Sequence, residues 1–342
     1  VTSHIVRRVG HIRVFAALAS VASAAVLLHA LWVTPWFWSG VRIVTGFCFA
    51  GLYVITESWL NDRATNETRG ALLSVYMLVT FAGMICGQLL INVGDTRSFE
   101  LFILISVLVS LAVVPIALTA TPAPSFDTPS KVSIRQIYET SPLGVAGMLG
   151  QGVANGALVS MAAVYAQLVG MSIADTAWFA SAPLVGGLLA QWPIGYLSDR
   201  LDRRKVLTAT AIAAGAIGLM SVGLDGSQSV LVQMLAVGTL GAMTLPQYSL
   251  SIAHTNDHLA PEQMVAASGT LVLVSGIGLM IGPTVTAGLI EAYGTEALFF
   301  TVGAVETLVA GFALYRMTAR APVPLDQQGA FVPLNARGTP VA

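Results

Sequence analysis

Charged residues are scarce in this sequence of 342 residues. Only 10% of them are Asp, Glu, Lys or Arg, whereas a soluble domain carries about 25%. The hydrophobic fraction of 55% and the mean hydropathy of +0.78 agree with this deficit. The composition therefore excludes an ordinary soluble domain and predicts a protein whose solvent is the lipid bilayer.

Three further shortages narrow the class of protein. The two cysteines, Cys48 and Cys86, both lie in apolar runs, so we predict free thiols and no disulfide. The net charge of −1 gives no reason to expect a nucleic-acid partner. The sequence has no phosphate-binding loop of the form Gly-x-x-x-x-Gly-Lys-Ser/Thr, no Ser-His-Asp constellation and no HExxH motif, so we expect neither an enzyme nor a cofactor.

Long apolar segments are what the sequence does contain. A helix needs about 20 mostly apolar residues to cross a bilayer, and uninterrupted runs without polar alternation disfavour a β-barrel. We therefore predict an all-α membrane protein with ten spanning helices, h1 to h10, at residues 12–32, 36–58, 70–93, 98–120, 142–169, 173–197, 205–223, 228–254, 263–289 and 294–316.

The distribution of Lys and Arg predicts the orientation of these helices. Of the 16 basic residues, all except Arg42 and Arg97 lie on the side of the N-terminus. Because basic residues accumulate in cytoplasmic loops, we expect a multi-pass protein of the cytoplasmic (inner) membrane with both termini in the cytoplasm. Breaks in hydropathy predict an incomplete N-terminal half at 1–120, a linker at 121–141, a C-terminal half at 142–318 and a disordered tail at 319–342.

An internal repeat relates the two halves. A constant shift of 195 residues aligns h2 and h3 with h8 and h9 without a gap, which predicts pseudo-symmetric halves. The aligned pairs are Gly46 with Gly241, Tyr53 with Tyr248, Thr56 with Ser251, Asn61 with Asn256, Asp62 with Asp257, Glu67 with Glu262, Gly83 with Gly278 and Gly87 with Gly282. A shift of 192 places "RVGHIR" on "RLDRRK", and it leaves h5 and h6 without counterparts, so the halves have four and six helices.

Two motifs resemble those of the major facilitator superfamily. "RIVTGFCFA" is similar to its fourth-helix motif at Arg42, Gly46 and Ala50, and "ESWLND" and "AHTND" resemble the YcaD-like bacterial branch. The segment "GYLSDRLDRRK" resembles the superfamily's loop motif but has Asp202 where a glycine is usual. It matches at Gly195, Asp199, Arg200, Arg203, Arg204 and Lys205.

The resemblance implies a fold of twelve helices and transport by alternating access. The helices h1 to h10 would then be helices 3 to 12 of the family, so that the first two helices are lacking. Family helices 4, 7 and 10, which here are h2, h5 and h8, would line a cavity with polar residues on shared faces. These residues are Arg42, Tyr53 and Glu57 of h2, Gln151 and Asn155 of h5, and Gln247, Tyr248, Ser251 and His254 of h8.

Each candidate also has a structural interpretation. Arg42 could reach the outer surface, Glu57 could pair with Arg63 or Arg69, and His254 could be an interfacial histidine. Gln151 and Asn155 could be hydrogen bonds between helices. Glu306 is the most deeply placed acid, but the pattern assigns it no role.

The loop motif has a predicted gating role. In the family its aspartate docks against a helix start in the opposite half, which for Asp199 implies Thr68, Arg69 and Gly70. A carboxylate at a helix N-terminus is stabilised by about 0.3–1 kcal/mol, and such a latch would bias the equilibrium between two states. The alternative is that the charged run is only a topology signal in a solvated loop.

The leading functional hypothesis is a monomeric secondary transporter of a small organic solute, coupled to protons. The second is a remnant, scaffold or sensor of the same fold that does not transport. A channel is a weaker third, because no charged ring or carbonyl filter is evident. The substrate and the direction of transport stay open.

Overall fold

A computed structural model describes residues 10–63, 69–96, 98–118, 133–224, 227–319, 321–324, 328–329 and 331, and helices make up most of these residues. Short 3-10 turns extend two of them, at Leu90–Asn92 and Ser221–Gly223. The helices are α1 (His11–Leu28), α2 (Pro35–Arg63), α3 (Arg69–Leu89), α4 (Glu100–Ala117), α5 (Ile134–Thr140), α6 (Pro142–Leu168), α7 (Ile173–Ser198), α8 (Arg203–Met220), α9 (Val230–Thr244), α10 (Gln247–Asn256), α11 (Pro261–Tyr293) and α12 (Ala297–Ala319).

The helices confirm the all-α membrane class. Across the described ranges, nine spans are long and apolar enough to cross a bilayer, with α9 and α10 counted as one span, Val230–Asn256. A shorter apolar helix, Ile12–Leu28, accounts for h1. In hydrocarbon a helix satisfies its backbone groups internally, which is why uninterrupted apolar runs define these elements so directly.

The predicted span h8 is one span in the structure, Val230–Asn256, but its helical hydrogen bonding is interrupted between α9 and α10. Leu245 and Pro246, at the interruption, keep right-handed helical backbone angles. Proline has no backbone N–H to donate to the preceding turn, and its ring displaces the carbonyl four residues earlier. Helical bonding resumes at once, since the Leu250 amide donates to the Pro246 carbonyl at 3.0 Å. The break therefore follows from one residue inside an otherwise apolar span.

The predicted linker contains a short helix, α5. Ser133 caps it in a reciprocal capping box, in which the Ser133 hydroxyl accepts from the Gln136 amide and the Gln136 side chain accepts from the Ser133 amide. The remainder of the linker up to residue 132, and most of the tail, lie outside the described residues. The predicted disorder of the tail stays a prediction.

The contacts divide the chain into two compact units. One contains α1, α2 and α4, and the other contains α5 to α12 together with Leu73–Leu89 of α3. In the first unit, the Ser23 hydroxyl of α1 hydrogen-bonds to the hydroxyls of Ser106 and Ser110 on α4, at 2.7 and 2.9 Å. The predicted division into halves of four and six helices stays a prediction.

Helix α6 lies at the centre of the second unit, where it packs against α11, α12 and α10. A Cβ atom at Gly278 or Gly282 of α11 would collide with the backbone carbonyl of Leu149 or Val153 on α6. Small residues let helices in a membrane approach closely. Gly278 and Gly282, two glycines of the internal repeat, thus allow α11 to pack closely against α6.

Candidate functional site

Buried polar side chains from several helices form a group inside the second unit, which we call the polar cluster. Each of its members is at most 3% exposed. The members are Gln151 and Asn155 of α6, Thr244 of α9, Gln247 of α10, Ser275 of α11 and Glu306 of α12.

Hydroxyl groups from α9 and α11 donate hydrogen bonds to the side-chain amide oxygens of α6. The Ser275 hydroxyl donates to Gln151 Oε1 at 3.2 Å, and the Thr244 hydroxyl donates to Asn155 Oδ1 at 3.0 Å. The amide nitrogens of the same two side chains, Gln151 Nε2 and Asn155 Nδ2, have no hydrogen-bond partner. Two buried N–H donor groups one helical turn apart thus have unused hydrogen-bonding capacity.

The second part of the polar cluster joins α10 to α12. Gln247 Nε2 donates to Glu306 Oε2 at 2.8 Å, and both side chains are fully buried. The remaining oxygen of each group, Gln247 Oε1 and Glu306 Oε1, has no partner. Gln247 is the first residue of α10 and follows Pro246 directly.

The unpaired atoms have an energetic cost. A buried polar group without a hydrogen bond costs about 1–3 kcal/mol, and polar residues inside membranes are generally retained for function. Several such groups in one unit therefore require an explanation. A binding site whose ligand supplies the missing partners provides one.

The other predicted residues of α10 have different surroundings. The Tyr248 side chain lies in an apolar group with Met148 and Ile252, while Ser251 is fully buried and its hydroxyl has no partner. His254 is buried near the end of α10, and its ring lies edge-on to His258 at 4.8 Å. Of these three residues, only Ser251 resembles the polar cluster in having a buried side-chain atom without a hydrogen-bond partner.

The predicted residues of α2 belong to the first unit. Arg42 is exposed, Tyr53 is half-buried and Glu57 is buried at 3% exposure. Their helix packs against α1, where Val14 and Ile55 form a small apolar core. The site assembled by these contacts therefore consists of residues from the second half, and the cavity role of the α2 residues stays a prediction.

The loop motif is organised around Arg203, which is buried despite its charge. Its Nη1 donates to both carboxylate oxygens of Asp257, at 2.6 and 2.8 Å, and its Nε donates to the Ser198 hydroxyl at 3.0 Å. Burial raises the pKa of Asp257, although Arg203 and the Gly329 amide act against this shift. Charges in this environment need full pairing, and for Arg203 the partners are Asp257, Ser198 and the Gly329 carbonyl.

Asp202, the departure from the family motif, caps helix α8. Its carboxylate accepts from the Arg204 amide at 3.0 Å, and Arg204 Nη2 approaches its other oxygen at 2.8 Å. Burial alone would raise the pKa of Asp202, but the hydrogen bonds and positive charge of Arg204 lower it overall. A residue that is usually glycine is therefore used here as an N-cap.

Asp199 binds the C-terminal segment of the chain. Its Oδ1 accepts from the Phe331 amide at 2.7 Å, while Arg203 Nη2 lies 3.5 Å away. The segment is held a second time, because Arg203 Nη2 donates to the Gly329 carbonyl at 2.7 Å and the Gly329 amide donates to Asp257 at 3.0 Å. Thr68 and the side chains of the predicted docking region lie outside the described residues, so the latch to α3 stays a prediction.

A groove of about 400 Å³ lies beside this contact, between α3 and α7. The Phe331 ring enters it next to Gly195, where a Cβ atom would collide with the ring. Arg200 stacks on the Tyr196 ring at 4.1 Å, and Lys205 is exposed. Gly195 therefore makes room for the tail.

The sequence pattern gives no role to Glu306 or Ser275, which the structure adds to the polar cluster, whereas Thr244 belongs to the polar stripe of h8. Glu306 has a detectable signal, since an acid in the middle of a spanning helix is costly and rare. Ser275 has no such signal, because Ser also bonds to its own helix backbone.

Comparison with known proteins gives one family. The model of the Major Facilitator Superfamily matches residues 1–176 and 143–340. The uncharacterized MFS-type transporter YcaD of Escherichia coli is 27% identical over 329 residues, which is 95% of this chain and 84% of that protein.

Solved structures share the fold at low sequence identity. The E. coli fucose:proton symporter FucP aligns with a TM-score of 0.55 and 15% identity, covering 92% of this chain and 86% of that one. A bacterial homolog of the human lysosomal transporter Spinster aligns with a TM-score of 0.61 and 13% identity, covering 90% and 81%. At these identities the likeness concerns the fold.

Proposed function

Because the chain belongs to the major facilitator superfamily, we propose that it is a secondary transporter that moves a small organic solute across the cytoplasmic membrane. Transport would proceed by alternating access and be coupled to protons. The family and the fold support a transporter rather than an enzyme. The solute, the coupling and the alternation are the parts proposed here.

The unpaired amide groups of α6 carry this proposal. Gln151 Nε2 and Asn155 Nδ2 are buried donors without partners, on a helix that the repeat leaves without a counterpart in the first half. Binding sites in transporters commonly lie near the bilayer midplane beside interrupted helices. The break at Pro246 next to Gln247 has this character.

The chemistry of the polar cluster indicates a class of solute. It offers amide N–H donors on α6 and the unpaired acceptors Gln247 Oε1 and Glu306 Oε1, and outside the cluster the Ser251 hydroxyl is also unpaired. A small polar solute with both hydroxyl or carbonyl acceptors and O–H or N–H donors would satisfy these atoms. Losing such a bond leaves a buried group unpaired, which is how polar sites discriminate among solutes.

Arg42, Tyr53 and Glu57 of α2 are proposed to complete the cavity from the first half. Asp199 and the basic residues of the loop motif are proposed to control the cytoplasmic side, by pairing in one state and separating in the other. The proton-coupled fold neighbour FucP makes a pH gradient the first driving force to test.

The test is a screen for stabilisation by small solutes. Purified protein is heated with a panel of polyols, sugars, amides and carboxylates, since a ligand that binds the folded state raises its melting temperature. Solutes that do so are then loaded into proteoliposomes and their exchange is measured. We expect Gln151→Leu and Asn155→Leu to reduce solute affinity by about 10-fold or more, the equivalent of roughly 1.4 kcal/mol.

A buried glutamine outside the polar cluster provides the matched control. Gln233 lies on α9 and accepts from the Tyr165 hydroxyl at 2.9 Å. Gln233→Leu should lower the melting temperature but leave solute affinity within twofold. The proposal is wrong if no solute is exchanged, or if binding survives in both α6 variants. The former outcome would favour a scaffold or sensor.

A further inference from the structure

Glu306 is a fully buried acid of the polar cluster, and its Oε1 has no hydrogen-bond partner. We propose that Glu306 binds the coupling proton and that the Gln247 amide holds the protonated carboxyl. The inference deepens the proposed function and rests on it, because it assigns the coupling ion a binding group on α12.

The position of Glu306 makes a permanent negative charge costly. It lies nine residues after Ala297, the first residue of α12, which is about 14 Å along the helix. The helix is a candidate membrane span, and Glu306 is 0% exposed. An isolated carboxylate in such surroundings becomes neutral unless a cation pairs with it.

No cation pairs with this carboxylate among the described residues. Its one hydrogen bond is from Gln247, and no Lys, Arg or His nitrogen lies within 4.0 Å. The titratable groups on neighbouring helices belong to other contacts or lie near the helix ends. They are Tyr165 of α6; Arg203, Arg204 and Lys205 of α8; Tyr248 and His254 of α10; Glu291 and Tyr293 of α11; and Tyr315 and Arg316 of α12 itself.

The hydrogen bonding of the pair lacks one donor. Gln247 Nε2 already donates to Glu306 Oε2, and the two atoms left over, Gln247 Oε1 and Glu306 Oε1, are both acceptors. Two acceptors cannot satisfy each other. A proton on Glu306 Oε1 would turn it into a donor, and the amide oxygen of the same partner is the unpaired acceptor. A single proton would thereby complete both groups.

This arrangement connects the proton to the helix break. Gln247 begins α10 directly after Pro246, and α10 packs against α6, which carries Gln151 and Asn155. When the carboxylate loses its proton, the amide nitrogen is the one group of the Gln247 side chain that can donate a hydrogen bond to it. Protonation therefore changes which atoms of Gln247 are free to contact a solute.

The step itself is simple protonation. One proton from water on one side of the membrane adds to the carboxylate, and the resulting carboxyl releases it to water on the other side. With one proton per solute, each unit of imposed pH gradient would sustain about a 10-fold solute gradient.

Infrared difference spectroscopy of reconstituted protein tests the protonation without any solute. We expect the wild-type protein to show a protonated carboxyl band that disappears as the pH rises. Glu306→Gln should remove the band, whereas the exposed acid variant Glu291→Gln should keep it. Gln247→Leu should move the band to higher frequency, because the carbonyl Oε2 then loses its donor.

Two controls separate folding from chemistry. Glu306→Asp keeps the acid, so a band should persist there even if its position shifts. Glu306→Gln resembles the neutral state and should fold, and its pH-driven accumulation of solute should fall at least 10-fold. A wild-type band that is unchanged in Glu306→Gln overturns the proposal.

The outcomes also distinguish this inference from the proposed function. If no solute is exchanged but the band titrates through Glu306, the proton site stands and the transport proposal fails. If solute is exchanged and Glu306→Gln accumulates it like the wild type, transport stands and Glu306 is not the coupling group.

Discussion

The two copies of the internal repeat have the same glycines but different packing around them. In the second copy, added Cβ atoms at the conserved positions would collide with backbone atoms of neighbouring helices. In the first copy, no atom of the described chain lies within 4 Å of such a Cβ. The pairs are Gly46 and Gly241, Gly83 and Gly278, and Gly87 and Gly282.

The neighbours explain this difference. Gly241 lies against the Pro183 carbonyl of α7, and Gly278 and Gly282 lie against α6. Helices α6 and α7 correspond to h5 and h6, the segments that the repeat leaves without counterparts in the first half. A glycine pattern therefore marks a surface suited to close helix contact, but the presence of a neighbour decides whether the contact exists.

The copies also differ in backbone continuity. The shift of 195 places Gly51 of α2 opposite Pro246, and α2 runs unbroken from Pro35 to Arg63 while its counterpart is interrupted. Gln247, directly after Pro246, contacts Glu306, whereas the corresponding residue of α2 is Leu52. The two copies thus differ at this position in both the helix-interrupting proline and the polar side chain.

Removing the buried ion pair of the second copy should have the largest effect on stability. Asp257→Ala leaves Arg203 buried without its carboxylate, which costs about 3–5 kcal/mol. Asp62→Ala, the matched change in the first copy, shows whether that copy depends on an equivalent pair. The measurement is the free energy of unfolding from denaturant titration in mixed micelles.

Asp257→Asn is the control for this prediction, because it keeps an acceptor for Arg203 and should lose less stability than the alanine variant. A loss below about 1 kcal/mol for Asp257→Ala would place this pair among weak surface ion pairs. Equal losses at both positions would mean that the copies are alike in this respect.

A methyl group at the glycines should separate the copies by a smaller amount. Gly282→Ala forces its Cβ against the Val153 carbonyl, and such overpacking costs about 1–3 kcal/mol. Gly87→Ala meets no atom and should be neutral or stabilise the helix by up to about 1 kcal/mol. Melting temperatures of the two variants, compared under one condition, check this. Similar destabilisation by both changes would contradict the packing difference.

The C-terminal segment should contribute least. Phe331→Ala removes a ring from the groove beside Gly195 but leaves the backbone bond to Asp199, so we expect a loss of about 1 kcal/mol or less. Protease accessibility of the tail should rise in the same variant. Phe331→Leu is the control and should retain most of the protection. An unchanged digestion pattern in Phe331→Ala would argue against the contact.

Local patterns predicted much of the fold. The positions of the spans and the buried character of Gln151 and Asn155 follow from hydropathy and from polar residues within the spans. The break within h8 was missed, because Pro246 sits in a run whose average hydropathy is that of a continuous span. In contrast, the prolines inside α7 and α11 do not end their helices.

The partners within the candidate site were not predictable from local patterns. Glu306 was recognised as an unusual acid, but Gln247 lies 59 residues away, and Asp199 meets Phe331 at a separation of 132 residues. Tyr248 shares the polar stripe of α10 in sequence, yet its ring packs with Met148 in an apolar group. Spacing along one helix shows which residues share a face of that helix, but it does not show which residues of another helix they contact.

The sequence by itself determined the membrane class and the approximate positions of the spans, because hydrophobicity and length are properties of the chain read along its own axis. The tertiary structure decided which glycines are packed, which polar atoms lack partners and which residues face Glu306. Those properties depend on distances between helices that are far apart in sequence. The bilayer favours burial of polar helix faces, but it does not specify which faces contact one another.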